Sequence, residues 1–379
     1  MRTAQPVPAS LDQVPAAVES MLGDFFADAV PAAAAIDPRV GQAAEVVRDF
    51  VLQGGKRVRP VFAFAGWMAG STGDAETTGP LVPDATDALR VAASLELIQA
   101  CALIHDDIID RSDTRRGHPT MHRVFEADHR DRGWAGDAGH HGASAAILMG
   151  DLALAWADDL VHGHHPGGDS GEPDPRPLPA PVGRVWSAMR TEVLGGQYLD
   201  IVNESSGDET TASALRVMEF KTAAYTVARP LELGATLASA PSSLITALRS
   251  VGHDLGVAFQ LRDDLLGVFG DPVRTGKPSG DDLIAGKRTA LLADGLSRAA
   301  DRDAALADEL RGLIGRDLDD AEVTRARAIL TDVGAVDESE RQISDLLASA
   351  LTTLDTATIA EPVRAELTAF ARRIAHRAT

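Results

Sequence analysis

Apolar positions run almost unbroken from Val91 to Ile104, through Val91-Ala92-Ala93-Ser94-Leu95-Glu96-Leu97-Ile98-Gln99-Ala100-Cys101-Ala102-Leu103-Ile104, and the run ends in His105-Asp106-Asp107-Ile108-Ile109-Asp110. It contains no helix breaker and is dominated by Leu, Ala, Ile and Glu, which predicts a buried helix about 20 residues long. A second apolar run, 242–270, ends in Phe259-Gln260-Leu261-Arg262-Asp263-Asp264-Leu265-Leu266-Gly267, with Gly270-Asp271-Pro272 as its stop. Two further helices are expected between 11 and 51, interrupted near Pro31 and Pro38. Gly54-Gly55 breaks the second, and Pro60 falls in the first turn of the next. Helices are also predicted around Val124, over 143–160, over 186–201 (loosened by Gly195-Gly196) and over 212–240. The last ninety residues alternate Ala and Leu with charge at helical spacing.

No strand-like alternation and no repeat of 20 to 50 residues interrupts this pattern. Residues 1–10 read as disordered, and 128–142 and 162–182 as loop insertions rich in Gly, His, Pro and charge. The expected fold is all-α: one domain over 1–379, a bundle of long helices around a deep central cavity.

Composition sharpens this. Hydrophobic residues are 45% of the chain but aromatics only 4%, so the core must be packed from Ala, Leu and Val, which favours helices over sheets. The single cysteine, Cys101, permits no internal disulfide, and a reducing, cytoplasmic location is expected. No signal-peptide pattern and no membrane span are expected. A net charge of -20 argues against a nucleic-acid partner, and it would repel an anionic substrate unless cations reverse the field locally.

Such cations are concentrated. Of 36 basic residues only four are lysine: Lys56, Lys221, Lys277 and Lys287. Lys56 lies in Gln53-Gly54-Gly55-Lys56-Arg57-Val58-Arg59-Pro60, a loop entering a helix N-terminus and so a natural anion site. Lys277 and Lys287 flank Gly280-Asp281-Asp282, and Lys221 opens Lys221-Thr222-Ala223. A compact ammonium suits a crowded phosphate better than a guanidinium fork.

The aspartates supply the complement. At about 1.5 Å rise per residue, Asp106 and Asp110 lie one turn apart on one helix face, roughly 6 Å along the axis. Two such charges repel by ~3 kcal/mol at an effective dielectric of ~20. A solvated helix end is one reading, and a cation site is the other. With a second pair, Asp263-Asp264, closing another apolar helix, carboxylates could line the mouth of a cavity whose walls are Ile98, Cys101, Ala102, Val257, Ala258 and Leu261. Mg²⁺ takes one or two protein carboxylates and fills its shell with water and phosphate oxygens. The combination suits a diphosphate carrying a hydrocarbon tail. Histidines 140, 141, 162, 164 and 165 have metal-binding side chains, but they fall in tracts that read as flexible, which argues against a metal set.

Asp106-Asp107-x-x-Asp110 with Arg115-Arg116, Gly55-Lys56-Arg57-x-Arg59-Pro60, Gly195-Gly196-Gln197-x-x-Asp200, Lys221-Thr222 and Gln260-x-x-Asp263-Asp264 together resemble the trans-isoprenyl diphosphate synthase (polyprenyl synthetase) family, from about Gln53 to Thr289 and in the family's order. The resemblance implies an all-α enzyme, usually a homodimer, that uses three Mg²⁺ ions to join isopentenyl diphosphate head-to-tail to an allylic diphosphate of C5 to C15. It implies metal binding by Asp106, Asp107, Asp110, Asp263 and Asp264. Arg115, Lys221 and Lys277 would grip the allylic diphosphate, with Lys287 close by. Lys56, Arg59, Gln99 and Arg116 would hold isopentenyl diphosphate, and Thr222 and Gln260 would face the allylic cation. Gln99 stands where many relatives have histidine.

Two departures matter. Gly267 stands where the family usually has a third aspartate, and Asp271, one turn on, is the expected partial substitute. Second, Cys101 and Ala102 stand where short-chain relatives often place aromatics, so an open pocket and a C20 product are expected, with Leu97 and Ile98 as a partial floor. Gly267 keeps open a non-catalytic or partner-dependent subunit. A type I terpene cyclase shares the first motif but needs no isopentenyl site.

Overall fold

The computed structural model describes residues 7–71, 84–115, 117–164, 166, 178–270 and 280–375. A 3-10 turn, Leu11–Gln13, precedes α1 (Val14–Ala34), α2 (Pro38–Leu52), α3 (Val58–Ser71), α4 (Ala85–Ile109), α5 (Met121–Asp131), α6 (Ala138–Val161) and α7 (Ala180–Ser206). Next, α8 (Thr211–Val217) passes through a π-helical segment, Met218–Ala228, into α9 (Arg229–Leu237). After these come α10 (Ser242–Phe269), α11 (Asp281–Ile284), α12 (Ala290–Arg302), α13 (Ala304–Arg311), α14 (Asp320–Asp332), α15 (Ala335–Thr356) and α16 (Glu361–Ala375). Among the described residues the only strands are β1 (Thr114–Arg115) and β2 (His118–Pro119), an antiparallel pair. The chain is all-α, as its pattern predicts.

Contacts divide it into two compact units: residues 1–183 with 236–239, and residues 184–235 with 240–379. The first is organised on α4, which packs against α1, α2, α3 and α6. Asp84 and Asp87 form a capping box at its start. Surrounded in this way, α4 buries every residue from Val91 to Ile98, and Gln99 is the first that is not. By length and composition α4 alone among the described helices could cross a membrane. Yet 78% of its apolar window is buried inside the protein, the pattern of a core helix.

The second unit is organised on α10, which packs against the π-helical segment, α12, α15 and α16. Its inner face, Ala258, Leu261, Leu265 and Val268, meets Leu283, Leu291, Leu292 and Leu296 in one apolar core. Gly252 and Gly256 let the π-helical segment approach closely. A Cβ on Gly256 would lie 2.6 Å from Ala223 Cα.

Several sequence expectations shift. Pro31 does not interrupt α1, because it sits in the last turn of a helix whose Phe25, Phe26, Ala29, Val30 and Ala33 are buried. The loop expected over 128–142 narrows to 132–137: Asp137 caps α6 by accepting from the His140 amide, and Trp134 packs its ring against His129 and His141. Within 162–182, α7 already starts at Ala180; His165 and 167–177 lie outside the described residues. Of the terminus expected to be disordered, 1–6 lies outside the described residues, while Pro8 is buried and the Ala9 amide donates to Gln13. Gly195-Gly196 does not loosen α7, which runs through unbroken. The stretch 212–240 is helical but not uniformly α.

Candidate active site

In the first unit, the basic loop is shaped by left-handed backbone at Gly54 (φ 101°), Gly55 (φ 146°) and Arg57 (φ 46°). The turn sends Arg57 inward, to 6% exposure. Its guanidinium donates to Glu96 Oε2 at 2.5 Å and to the Val51 carbonyl at 2.7 Å. Arg57 therefore anchors the loop to α4 and α2. Lys56 stays exposed and Arg59 half-buried in the first turn of α3.

On α4 the half-exposed positions Gln99, Ala102, Leu103 and Asp106 lead to exposed Asp110, spacings that place them on one face. Asp110 continues the last turn, its amide donating to the Asp106 carbonyl at 2.8 Å. Leu97, Ile98, Cys101 and Asp107 are buried on the other faces. Asp107 is 0% exposed. Arg115, carried in by the β1–β2 pair, donates from Nε to both Asp107 oxygens at 2.9 and 3.0 Å. A further nitrogen of Arg115 lies 2.7 Å from Asp107 and 3.4 Å from Asp106. Burial pushes the Asp107 carboxyl above its usual range, with Arg115 opposing that rise.

His105 lies in a notch left by Gly150, where any Cβ would clash with the imidazole. Its Nε2 donates to the Ile147 carbonyl at 3.1 Å, and the Cys101 sulfur lies 3.7 Å from its Nδ1. Burial pushes the Cys101 thiol up to about 12, so it is no thiolate nucleophile at neutral pH.

In the second unit, Lys221 Nζ donates to Asp200 Oδ2 at 2.6 Å. The Lys221 backbone packs onto Gly196, where a Cβ would lie 2.8 Å from Lys221 Cα; this close approach is what the glycine in α7 serves. Thr222, next along the π-helical segment, is half-buried. On α10, Gln260 donates to Asp264 Oδ1 at 2.8 Å and the Ala290 amide to Asp264 Oδ2 at 3.2 Å. Asp264 is 3% exposed, and burial, with the charges of Asp282 and Asp263 nearby, pushes its carboxyl up to about 8. Asp263 is exposed. The Lys287 amide donates to the Asp282 carbonyl at 3.1 Å, closing the α11 turn.

Arg116, Lys277, Asp271 and Pro272 lie outside the described residues. Of the expected apolar wall, Ala258 and Leu261 are core residues instead. Val257 lines a cavity of about 600 Å³ in the second unit, with Leu215, Glu219, His253, Gln342 and Leu346 around it. Sequence reasoning missed Arg57 as an anchor and the seating of His105 against Gly150.

The donor set suits a hard divalent cation. All the candidate donors are carboxylate oxygens, and Asp264 is held in a burial that disfavours its charge unless a cation joins it. Among the described residues no three His, Cys, Asp or Glu side chains converge as a closed cage. An ion that keeps several waters and phosphate oxygens needs no such cage.

The polyprenyl synthetase family profile matches residues 41–330. A geranylfarnesyl diphosphate synthase of Aeropyrum pernix is 35% identical over 287 residues, 76% of this chain and 79% of that protein. A geranylgeranyl diphosphate synthase of Mycobacterium tuberculosis is 32% identical, over 72% of this chain and 69% of its own. The crystal structure of a geranylgeranyl pyrophosphate synthase from Corynebacterium glutamicum, complexed with isoprenyl diphosphate and magnesium, is similar with a TM-score of 0.87 at 47% identity, covering 97% of this chain and all of that one. With the five motifs in order on an all-α scaffold, the chain belongs to the polyprenyl synthetase family, the trans-prenyl diphosphate synthases.

Proposed function

We propose that this enzyme condenses isopentenyl diphosphate with an allylic diphosphate of C5 to C15 and that its main product is C20 geranylgeranyl diphosphate. The observation that carries the length is Ala102, one helical turn before Asp106 and on the same half-exposed face of α4, with small Cys101 beside it. A methyl group at that position leaves room for a growing chain that an aromatic ring would stop. Relatives from Mycobacterium and Corynebacterium named for C20 products agree with it, while others, named for C15 in Mycobacterium and C25 in Aeropyrum, set the alternatives.

Asp106 and Asp110 would hold Mg²⁺, as would Asp263 and Asp264, three ions in all by the family's pattern. Bound Mg²⁺ supplies neutralising charge to the leaving diphosphate. Asp107, which the resemblance implies as a further metal ligand, is taken up by Arg115, as Asp200 is by Lys221; each acid would fix a base assigned to the allylic diphosphate. Lys277 and Lys287 take the same group. Lys56, Arg59, Gln99 and Arg116 hold isopentenyl diphosphate, on a loop that Arg57 keeps in place. Thr222 and Gln260 turn fixed dipoles toward the cationic carbon in a water-poor site. The protonated Cys101 thiol offers no covalent route. The family profile spans residues of both units, which supports one catalytic domain. The lone, buried cysteine supports a reducing cytoplasm, and a homodimer is the family's usual assembly.

Product analysis with Mg²⁺, labelled isopentenyl diphosphate and each of the C5, C10 and C15 primers tests this. A C20 product is expected. A product stopping at C15 or running to C25 overturns the length. Failure with every primer moves the partner-dependent subunit, which Gly267 keeps open, to the front.

A further inference from the structure

Arg57 carries two costs at one residue. Its backbone is left-handed (φ 46°), a conformation that only glycine adopts freely. Its guanidinium is also taken out of water to meet Glu96, and the two side chains are only 5% and 8% exposed. Burying such a pair returns little net stability, because desolvation consumes most of the attraction. A loop that needed only to be closed would be held as well by an apolar side chain. Strain and buried charge at one position therefore point to a task other than stability. The contacts show what is tied together. Arg57 lies between Lys56 and Arg59, and it donates to the carbonyl of Val51, in the last turn of α2, where no helical amide follows to bond it. Glu96 lies on α4, three residues before Gln99 and so nearly one turn below it. The pair thus joins the two segments that carry Lys56, Arg59 and Gln99.

We propose that Arg57 and Glu96 are positioning residues for isopentenyl diphosphate. They touch no substrate; they set the reach from Lys56 and Arg59 to Gln99, and so the affinity for that one substrate. The inference rests on the reading that this loop and Gln99 hold isopentenyl diphosphate. Selectivity follows from the wiring of the charges. Arg115 and Lys221, assigned to the allylic diphosphate, are held by other acids, Asp107 and Asp200. Loosening the Arg57–Glu96 pair leaves both of those contacts in place.

The test separates positioning from stability. In the double variant Arg57→Met/Glu96→Leu both charges give way to apolar side chains, an exchange that buried ion pairs commonly tolerate. Melting temperature, kcat and the KM of each substrate, with a C15 primer as the allylic one, are measured for the native protein, the double variant and Lys56→Ala. The double variant should melt within about 5 °C of native. Its KM for isopentenyl diphosphate should rise roughly tenfold or more, and its KM for the primer should stay within about twofold. If Lys56→Ala raises the KM for isopentenyl diphosphate and the double variant does not, the inference is overturned while the reading of the loop stands. If Lys56→Ala leaves that KM unchanged, the reading of the loop fails and the inference with it. Equal rises of both KM values in the double variant would give the pair a merely structural role and overturn the proposal. Should the double variant fail to fold by circular dichroism, Arg57→Lys keeps the charge but loses the planar fork that meets Glu96 and the Val51 carbonyl together. A rise confined to the KM for isopentenyl diphosphate in that variant supports the proposal, and a native value overturns it.

Discussion

Lys221 donates its ammonium proton to Asp200 at 2.6 Å, while the backbone of the same lysine fills the space that a side chain on Gly196 would need. Two residues of one motif thus set a cation 21 residues beyond the aspartate, the glycine by its contact and the aspartate by its charge.

Gly196→Ala should push the Lys221 backbone away from α7 at a cost of about 1–3 kcal/mol, the usual penalty of overpacking. Asp200→Asn keeps the backbone and removes the charge. Its KM for the allylic diphosphate should rise roughly tenfold, about 1.4 kcal/mol, with KM for isopentenyl diphosphate nearly unchanged. Steady-state kinetics with each substrate varied in turn separates the two effects; equal changes in both KM values would remove the specific role given to Lys221.

Asp107 and Arg115 form the strongest ion pair of the first motif, with Asp107 wholly buried and Arg115 27% exposed. Asp107→Asn should cost about 2–3 kcal/mol, less than a fully buried pair because Arg115 reaches solvent. Asp110→Asn, at an exposed position, should leave the melting temperature within about 1 °C and lower activity instead. Arg115→Lys should not rescue the site, since one ammonium cannot reproduce the paired contacts of the guanidinium. Denaturant titration beside activity assays distinguishes a carboxylate that positions from one that binds metal.

The Asp264 carboxyl titrates near 8 in the folded chain against 3.8 in the unfolded one. Between those values the folded state holds a proton that the unfolded state has released. Stability of the metal-free protein must therefore fall as pH rises through this window and level off above it. From pH 5 to 8 in a chelator, the melting temperature should drop by roughly 5 °C, about 3–4 kcal/mol. Asp264→Asn should flatten the slope. A native slope that persists in the variant would assign it to other groups.

Ala102 governs product length in the proposed reading. Ala102→Phe should shift the main product from C20 to C15, while total isopentenyl incorporation stays within about threefold of native. Unchanged chain length would mean that the hydrocarbon tail does not pass this face of α4.

The patterning alone determined the helices and the order of the motifs. Uninterrupted apolar runs such as 91–104 must be buried, and a chain with only 4% aromatics and a core rich in Ala and Leu packs as helices. Spacing likewise determined that Asp106 and Asp110 share a face, because 3.6 residues per turn is a local rule. Tertiary packing decided which motif residue faces which way. Arg57 and Arg59 are two residues apart in one basic loop, yet left-handed backbone at Gly54, Gly55 and Arg57 buries the first against Glu96 and leaves the second half-exposed. Asp106 and Asp107 are adjacent, yet only one is accessible, because Arg115 arrives from a hairpin that sequence periodicity cannot see. The glycines were legible as breaks, but Gly196, Gly256 and Gly267 are close approaches to residues 25, 33 and 15 positions away. No local signal encodes those contacts, since they depend on how segments distant in sequence pack together.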